Sequence, residues 1–227
     1  MLLMKAWLET RGRLLFTVIM LGVTIVANYT SGNPGARNAR GLLLILGSLL
    51  ALGALQLAGS GIKSQAPIGF PEGLAGSTQF TISLPVTRLR LLAVRAGFGL
   101  LEIVILTVIV SCTAWSQLPW VRNSGTPADF ARLVLVAIFF LLLPYCSAVL
   151  FATVIDEPFS MVCAGWTLIL VLWALHRTPS ALDIICAWGD QSPLITHTLP
   201  WPQIATCAGL ASILFWTAAF IVRKREY

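Results

Sequence analysis

The sequence predicts an all-α, polytopic membrane protein with six transmembrane helices, an N-terminal interfacial helix and a short cytoplasmic helix. Three observations carry that expectation. The chain of 227 residues is 57% hydrophobic and only 11% charged, with a mean hydropathy of +0.86, whereas a soluble domain carries about 25% charged residues. Its apolar residues gather into runs near the length needed to cross a bilayer, about 20 residues with about 17 as a minimum. Lysine and arginine fall unequally on the two sides that those runs define. Residues 1–227 read as one membrane domain, because no linker is long enough to hold a second.

Taken in order, residues 1–13 mix Leu2, Leu3, Met4, Trp7 and Leu8 with Lys5, Glu9, Arg11 and Arg13. That is the pattern of an interfacial helix leading into a span. A secretory signal is the rival reading, but bulky Ile25 spoils the small-x-small pattern before Ala27. The six runs are Leu14–Ala27, Gly41–Ile62, Leu91–Trp115, Phe130–Ile155, Phe159–Leu175 and Ile204–Val222. Pro144, near the middle of the fourth, predicts a kink of the kind that packing neighbours repair. In the turn Ile155-Asp156-Glu157-Pro158, an acid caps the fifth helix and Pro158 occupies its first turn.

The connecting segments are Tyr29–Arg40, Ser116–Asp129 and His176–Gln203 on one side, and the stretch Lys63–Arg90 on the other. The loop 176–203 carries Trp188, Trp201 and four prolines, and its centre Leu182–Trp188 is apolar. It reads either as a re-entrant helix or as an interfacial loop held by its tryptophans. With the N-terminus inside, the cytoplasmic side holds Lys5, Arg11, Arg13, Lys63, Arg88, Arg90, Arg95, Arg223, Lys224 and Arg225. The outer side holds Arg37, Arg40, Arg122, Arg132 and Arg177, so the ratio is ten to five. Both termini are therefore expected in the cytoplasm. The net charge of +6 is explained by orientation, with no nucleic-acid partner.

Catalytic and metal signatures are missing from the sequence. There is no Gly-x-x-x-x-Gly-Lys-Ser/Thr phosphate loop, no Cys-x-x-Cys pair, and only His176 and His197 are present. Gly59-Ser60-Gly61 lacks the glycine and facing histidine of an intramembrane serine protease, and suits close helix packing instead. Asn28-Tyr29-Thr30 fits a glycosylation sequon but abuts a span end. Cys112, Cys146, Cys163 and Cys207 lie in apolar runs as small hydrophobes, and Cys186 lies in an outer loop.

Glu102 is the anomalous side chain. A rise of about 1.5 Å per residue from Leu91 puts it roughly 16 Å deep, near the bilayer centre. An acid there costs at least about 2.5 kcal/mol, so it must face the protein interior, a watery cavity or a partner. It reads as a polar contact in a substrate path or gate, or as a hydrogen bond between helices, with Gln56, Ser48 or Thr107 as partner. Arg95 shares its face and is shallow enough to snorkel to the cytoplasmic interface.

The cytoplasmic stretch holds the second feature. After Gly76, Ser77 or Thr78 can cap a short helix whose Phe80 and Leu84 form one apolar face. Pro85 stops it, and Thr87 can cap the helix that follows. A short amphipathic helix at the foot of a span suits docking. Gly76-Ser77-Thr78, then Leu84-Pro85-Val86-Thr87-Arg88, and a further arginine at Arg95, resemble the first cytoplasmic loop of type-2 ATP-binding-cassette (ABC) permeases. The likeness is sharpest over Gly76–Arg95, and the layout of spans extends it along the chain.

That resemblance implies a permease subunit of an ATP-driven exporter in the cytoplasmic (inner) membrane. Its ATPase-coupling loop would comprise Gly76, Ser77, Thr78, Phe80, Leu84, Pro85 and Arg88, seated in a groove of a separate soluble ABC ATPase. It further implies pairing with a second permease subunit, as homo- or heterodimer, and a re-entrant helix before the final span. ATP and Mg would be bound by the ATPase, with no cofactor in this chain and no enzyme activity of its own. The alternative is a non-transporting membrane scaffold or assembly protein that uses the same loop for another partner. A lipid-modifying intramembrane enzyme would need clustered polar residues at one depth, where the sequence offers isolated ones.

Overall fold

The computed structural model describes residues 11, 12, 14–23, 36–58, 87–117, 122, 123, 125–155, 159–176 and 193–224. Among these, six helices and no strands are found: α1 Ala36–Ala58, α2 Arg88–Gln117, α3 Pro127–Val154, α4 Phe159–His176, α5 Pro193–Thr196 and α6 Trp201–Lys224. Leu14–Val23 is a further short apolar helical stretch. Over the described residues, the apolar runs are helical. By length and composition, three helices can cross a membrane, with spans over Leu89–Ser116, Pro127–Val154 and Trp201–Lys224. The interfacial segment 1–13 apart from residues 11 and 12, the loop Gly76–Pro85, the turn Asp156–Pro158 and the centre of 176–203 lie outside the described residues.

The bundle is organised around α3. From Leu143 through Val149 every residue is buried, which requires neighbours on all sides of the helix. Those neighbours are α1, α2, α4, α5 and α6; α1 also packs on α2 and α4, and α2 on α6. Lipid gives no hydrophobic drive for helices to associate, so close packing and hydrogen bonds must hold them. The small residues of α3 (Ala148, Ala152 and the 2%-exposed Ser147) permit that approach. The helix runs on through fully buried Pro144, and Ser147 Oγ donates to the Pro144 carbonyl at 2.8 Å.

The outer surfaces are apolar, as lipid requires. Along α2, Leu101, Ile105, Val108 and Ile109 are exposed, while Ala96, Ile103, Leu106, Val110 and Ala114 are buried opposite them. Trp166, Ile169 and Leu170 of α4 and Ile213, Trp216 and Phe220 of α6 are likewise exposed. The stretch Leu14–Val23 packs on α1, where a Cβ on Gly53 would lie 2.7 Å from Thr17 Cγ2. Thr17 and Leu21 are its buried side chains.

Helix ends differ from the apolar runs. Helix α1 starts at Ala36, inside the stretch expected to be a loop to Arg40. Helix α3 starts at Pro127, ahead of Phe130, and α6 extends over Trp201–Lys224. Alanine, arginine and lysine propagate helices well, so the backbone outruns the apolar stretch wherever a cap lies further out. Thr126 and Thr87 are such caps. Leu91 N donates to the Thr87 carbonyl at 3.1 Å and Arg90 N to Thr87 Oγ1 at 3.3 Å, as the sequence led one to expect.

Candidate functional site

Glu102 is carried into the bundle by the phase of α2. Counting from the capped start at Thr87, Leu92, Ala96, Gly99, Ile103 and Leu106 repeat at three and four residues and face inward. Glu102 shares that side and is 6% exposed. It therefore faces the protein interior, one of the settings expected of an acid at that depth.

Beside it, the chains of α2 and α3 approach unusually closely. The Tyr145 hydroxyl of α3 donates to the Ala96 carbonyl at 2.6 Å. A Cβ placed on Gly99 would lie 2.8 Å from that hydroxyl and 3.4 Å from the Leu57 carbonyl of α1. Glycine is thus required at position 99 so that the phenol can lie across the α2 backbone. Tyr145, 2% exposed, is within electrostatic range of Glu102. An ionisable acid, a phenol and a bare backbone therefore meet where α1, α2 and α3 converge.

Of the partners expected for Glu102, Thr107 turns back on its own helix, donating to the Ile103 carbonyl at 2.7 Å. Arg95 is half-buried, with its Nη1 inside the bundle. Among the coupling-loop residues, Gly76, Ser77, Thr78, Phe80, Leu84 and Pro85 are outside the described set, and Arg88 is the first residue of α2. Among the described residues, no three His, Cys, Asp or Glu side chains gather as a metal site.

A second polar cluster, which sequence reasoning missed, lies where α3 begins. Thr126 is the N-cap of α3 and forms a capping box with Asp129, whose side chain accepts from Thr126 N at 3.1 Å and from Thr126 Oγ1 at 2.8 Å. Arg132 Nη1 donates to Asp129 Oδ1 at 2.7 Å and to the His197 carbonyl at 2.6 Å. His197 Nδ1 lies 2.8 Å from Asp129 Oδ2. Asp129 is 2% exposed. The pattern Thr-Pro-x-Asp signals the capping box, but nothing local to position 197 marks its partner.

These contacts fix the relative directions of the helices. The starts of α3 and α6 lie at one end of the bundle, joined through Asp129 and His197. Trp115, in the last turn of α2, stacks on Phe130 with ring centroids 4.6 Å apart, so α2 finishes at that same end. Thr87 and the exposed Arg223 and Lys224 lie at the opposite end. The chain matches no protein-family model, no curated protein and no solved structure.

Proposed function

We infer that this chain is the membrane-spanning permease subunit of an ATP-driven ABC exporter. Six spans, with both termini in the cytoplasm of the inner membrane, couple hydrolysis by a separate ATPase to substrate movement. The observation that carries the reading is the continuity of α2. Thr87 caps it immediately behind the loop that resembles a coupling element, and fifteen residues on from Thr87 the same rigid helix holds Glu102 against the central helix. A push on the loop is thereby delivered to the buried acid, about 22 Å away along the axis.

In this mechanism Phe80 and Leu84 fill an apolar groove on the ATPase, Ser77 or Thr78 caps the short helix, and Arg88 holds its end. Closure of two ATPases tilts the spans of two permease subunits between inward- and outward-facing states. Glu102, Tyr145 and the close backbone approach at Gly99 lie at the moving contact between α2 and α3.

Removing a buried interface aromatic costs about 2 kcal/mol or more, roughly thirtyfold in affinity. Phe80→Ala is expected to release the ATPase, or to uncouple hydrolysis from transport, while the bundle stays folded. Co-purification of a candidate ATPase with wild type and Phe80→Ala in detergent is the test. Equal recovery with equal transport-linked hydrolysis removes the loop from the mechanism. Capture of a different cytoplasmic protein, without hydrolysis, selects the scaffold reading.

A further inference from the structure

We propose that Asp129, Arg132 and His197 form a clasp that holds the start of α6 against the start of α3, and that its opening exposes the apolar seam beneath. The clasp concerns this chain's own conformations and does not rest on the transport reading.

The two halves are 68 residues apart in sequence and each is separately shaped for the contact. On α3, the capping box fixes the Asp129 carboxylate, and Arg132 Nη1 reaches from it to the backbone carbonyl of His197. On the approach to α6, His197 adopts a left-handed backbone with φ 56°, which a side chain other than glycine disfavours. That conformation turns both the ring and the carbonyl of one residue toward α3, so the two hydrogen bonds oppose the backbone strain. Releasing them lets the corner relax.

The clasp lies over a largely apolar seam, in which the polar Gln203 of α6 is also buried. Pro193, Leu194 and Pro200 are buried beneath it, Val136 packs with Ile204, and Cys207 packs with Leu143 and Leu168. Packing and hydrogen bonds together hold helices in lipid, so loss of the polar contacts at the rim loosens the part of the seam next to them. Arg132 and His197 both reach solvent, the Arg132 side chain being 39% exposed and that of His197 59%. Water can therefore compete for them, and the clasp can open without unfolding the bundle.

Native cysteines report the event. Cys207 lies within the seam between α3 and α6, 3% exposed, and Cys146 lies at the bundle centre, 7% exposed. The experiment uses the full chain in detergent with Cys112, Cys163 and Cys186 replaced by serine, and follows the reaction of the two remaining thiols with a maleimide. His197→Gly removes the ring but adopts the left-handed backbone freely. A purely structural corner would therefore become no looser, or tighter. The clasp requires Cys207 to react about tenfold faster, the scale of losing one hydrogen bond to a charged group, while Cys146 stays protected. Asp129→Asn is expected to accelerate Cys207 as well. Adding His197→Gly to it is expected to change little, because Asp129→Asn weakens the contact with His197 along with those to Arg132 and Thr126. An unchanged or slower Cys207 reaction in His197→Gly overturns the clasp, and so do additive effects. Equal acceleration of Cys146 and Cys207 also overturns it, by assigning the contact to stability of the whole fold.

Discussion

At the scale of single residues, the meeting of α2 and α3 is set by Gly99, Tyr145 and Glu102, and each makes a separable prediction. In Gly99→Ala the new methyl would stand 2.8 Å from the Tyr145 oxygen, forcing the phenol off the Ala96 carbonyl. Overpacking of this kind costs about 1–3 kcal/mol, so thermal unfolding in detergent should show a clear loss of stability. Adding Tyr145→Phe removes the clashing oxygen and should recover part of that loss; a strictly additive double variant would place the strain elsewhere. Glu102→Gln should be tolerated far better than Glu102→Lys or Glu102→Leu, since glutamine keeps hydrogen bonding without a charge at mid-membrane. Wild-type stability and activity in Glu102→Leu would deny the carboxyl both a gating and a packing role. Glu102 was legible in the sequence because an acid inside an apolar run has few explanations. The Asp129–His197 contact was not, because it depends on a left-handed backbone at His197 and on a chain path that closes over 68 residues.

At the scale of elements, the interiors of the helices were readable and their ends were less so. Apolar runs locate what lies in lipid, but helices stop where orphan backbone groups find partners. Thr87 shows the readable case: a threonine just after a proline and before a basic, apolar stretch predicted the cap that Arg90 N and Leu91 N use. Helix α3 shows the other case, where the box formed by Thr126 and Asp129 starts the helix ahead of its apolar run. Thr87→Ala should cost about 1 kcal/mol. Because Thr87 joins the loop to α2, the same change should also weaken transmission from loop to bundle. Hydrogen exchange of the first turn of α2 would report the loosening directly. Faster exchange confined to that turn is expected, whereas unchanged exchange would mean that packing of Leu92 and Ala96 alone orders the start of the helix.

At the scale of the whole molecule, the two ends of the bundle differ in chemistry, and that difference fixes an orientation that can be measured. The end shared by the starts of α3 and α6 carries Trp115, Phe130 and Trp201, with Arg122, Arg132 and His197 beside them. The opposite end carries Arg90, Arg223 and Lys224, all exposed. Aromatic residues settle at either interface, but lysine and arginine in short loops favour the cytoplasm. Under the proposed six-span layout they would number ten on the Thr87 side against five on the Thr126 side. The Thr126 end is therefore expected outside, and an even number of spans returns Tyr227 to the side of Met1. In intact cells an impermeant thiol reagent should reach Cys186, or a cysteine placed at Ser180, and reporters fused after Tyr227 should be active only in the cytoplasm. A reporter found outside would carry the Thr87 end outside with it, because Arg223 and Lys224 share that end, and would invert the orientation of the bundle. The loop at Gly76–Arg88 would remain on the side of α2's start, so an external label at Thr78→Cys is the sharper measurement. Its protection is required for any docking of a cytoplasmic ATPase, and its labelling would remove that partner whatever the number of spans.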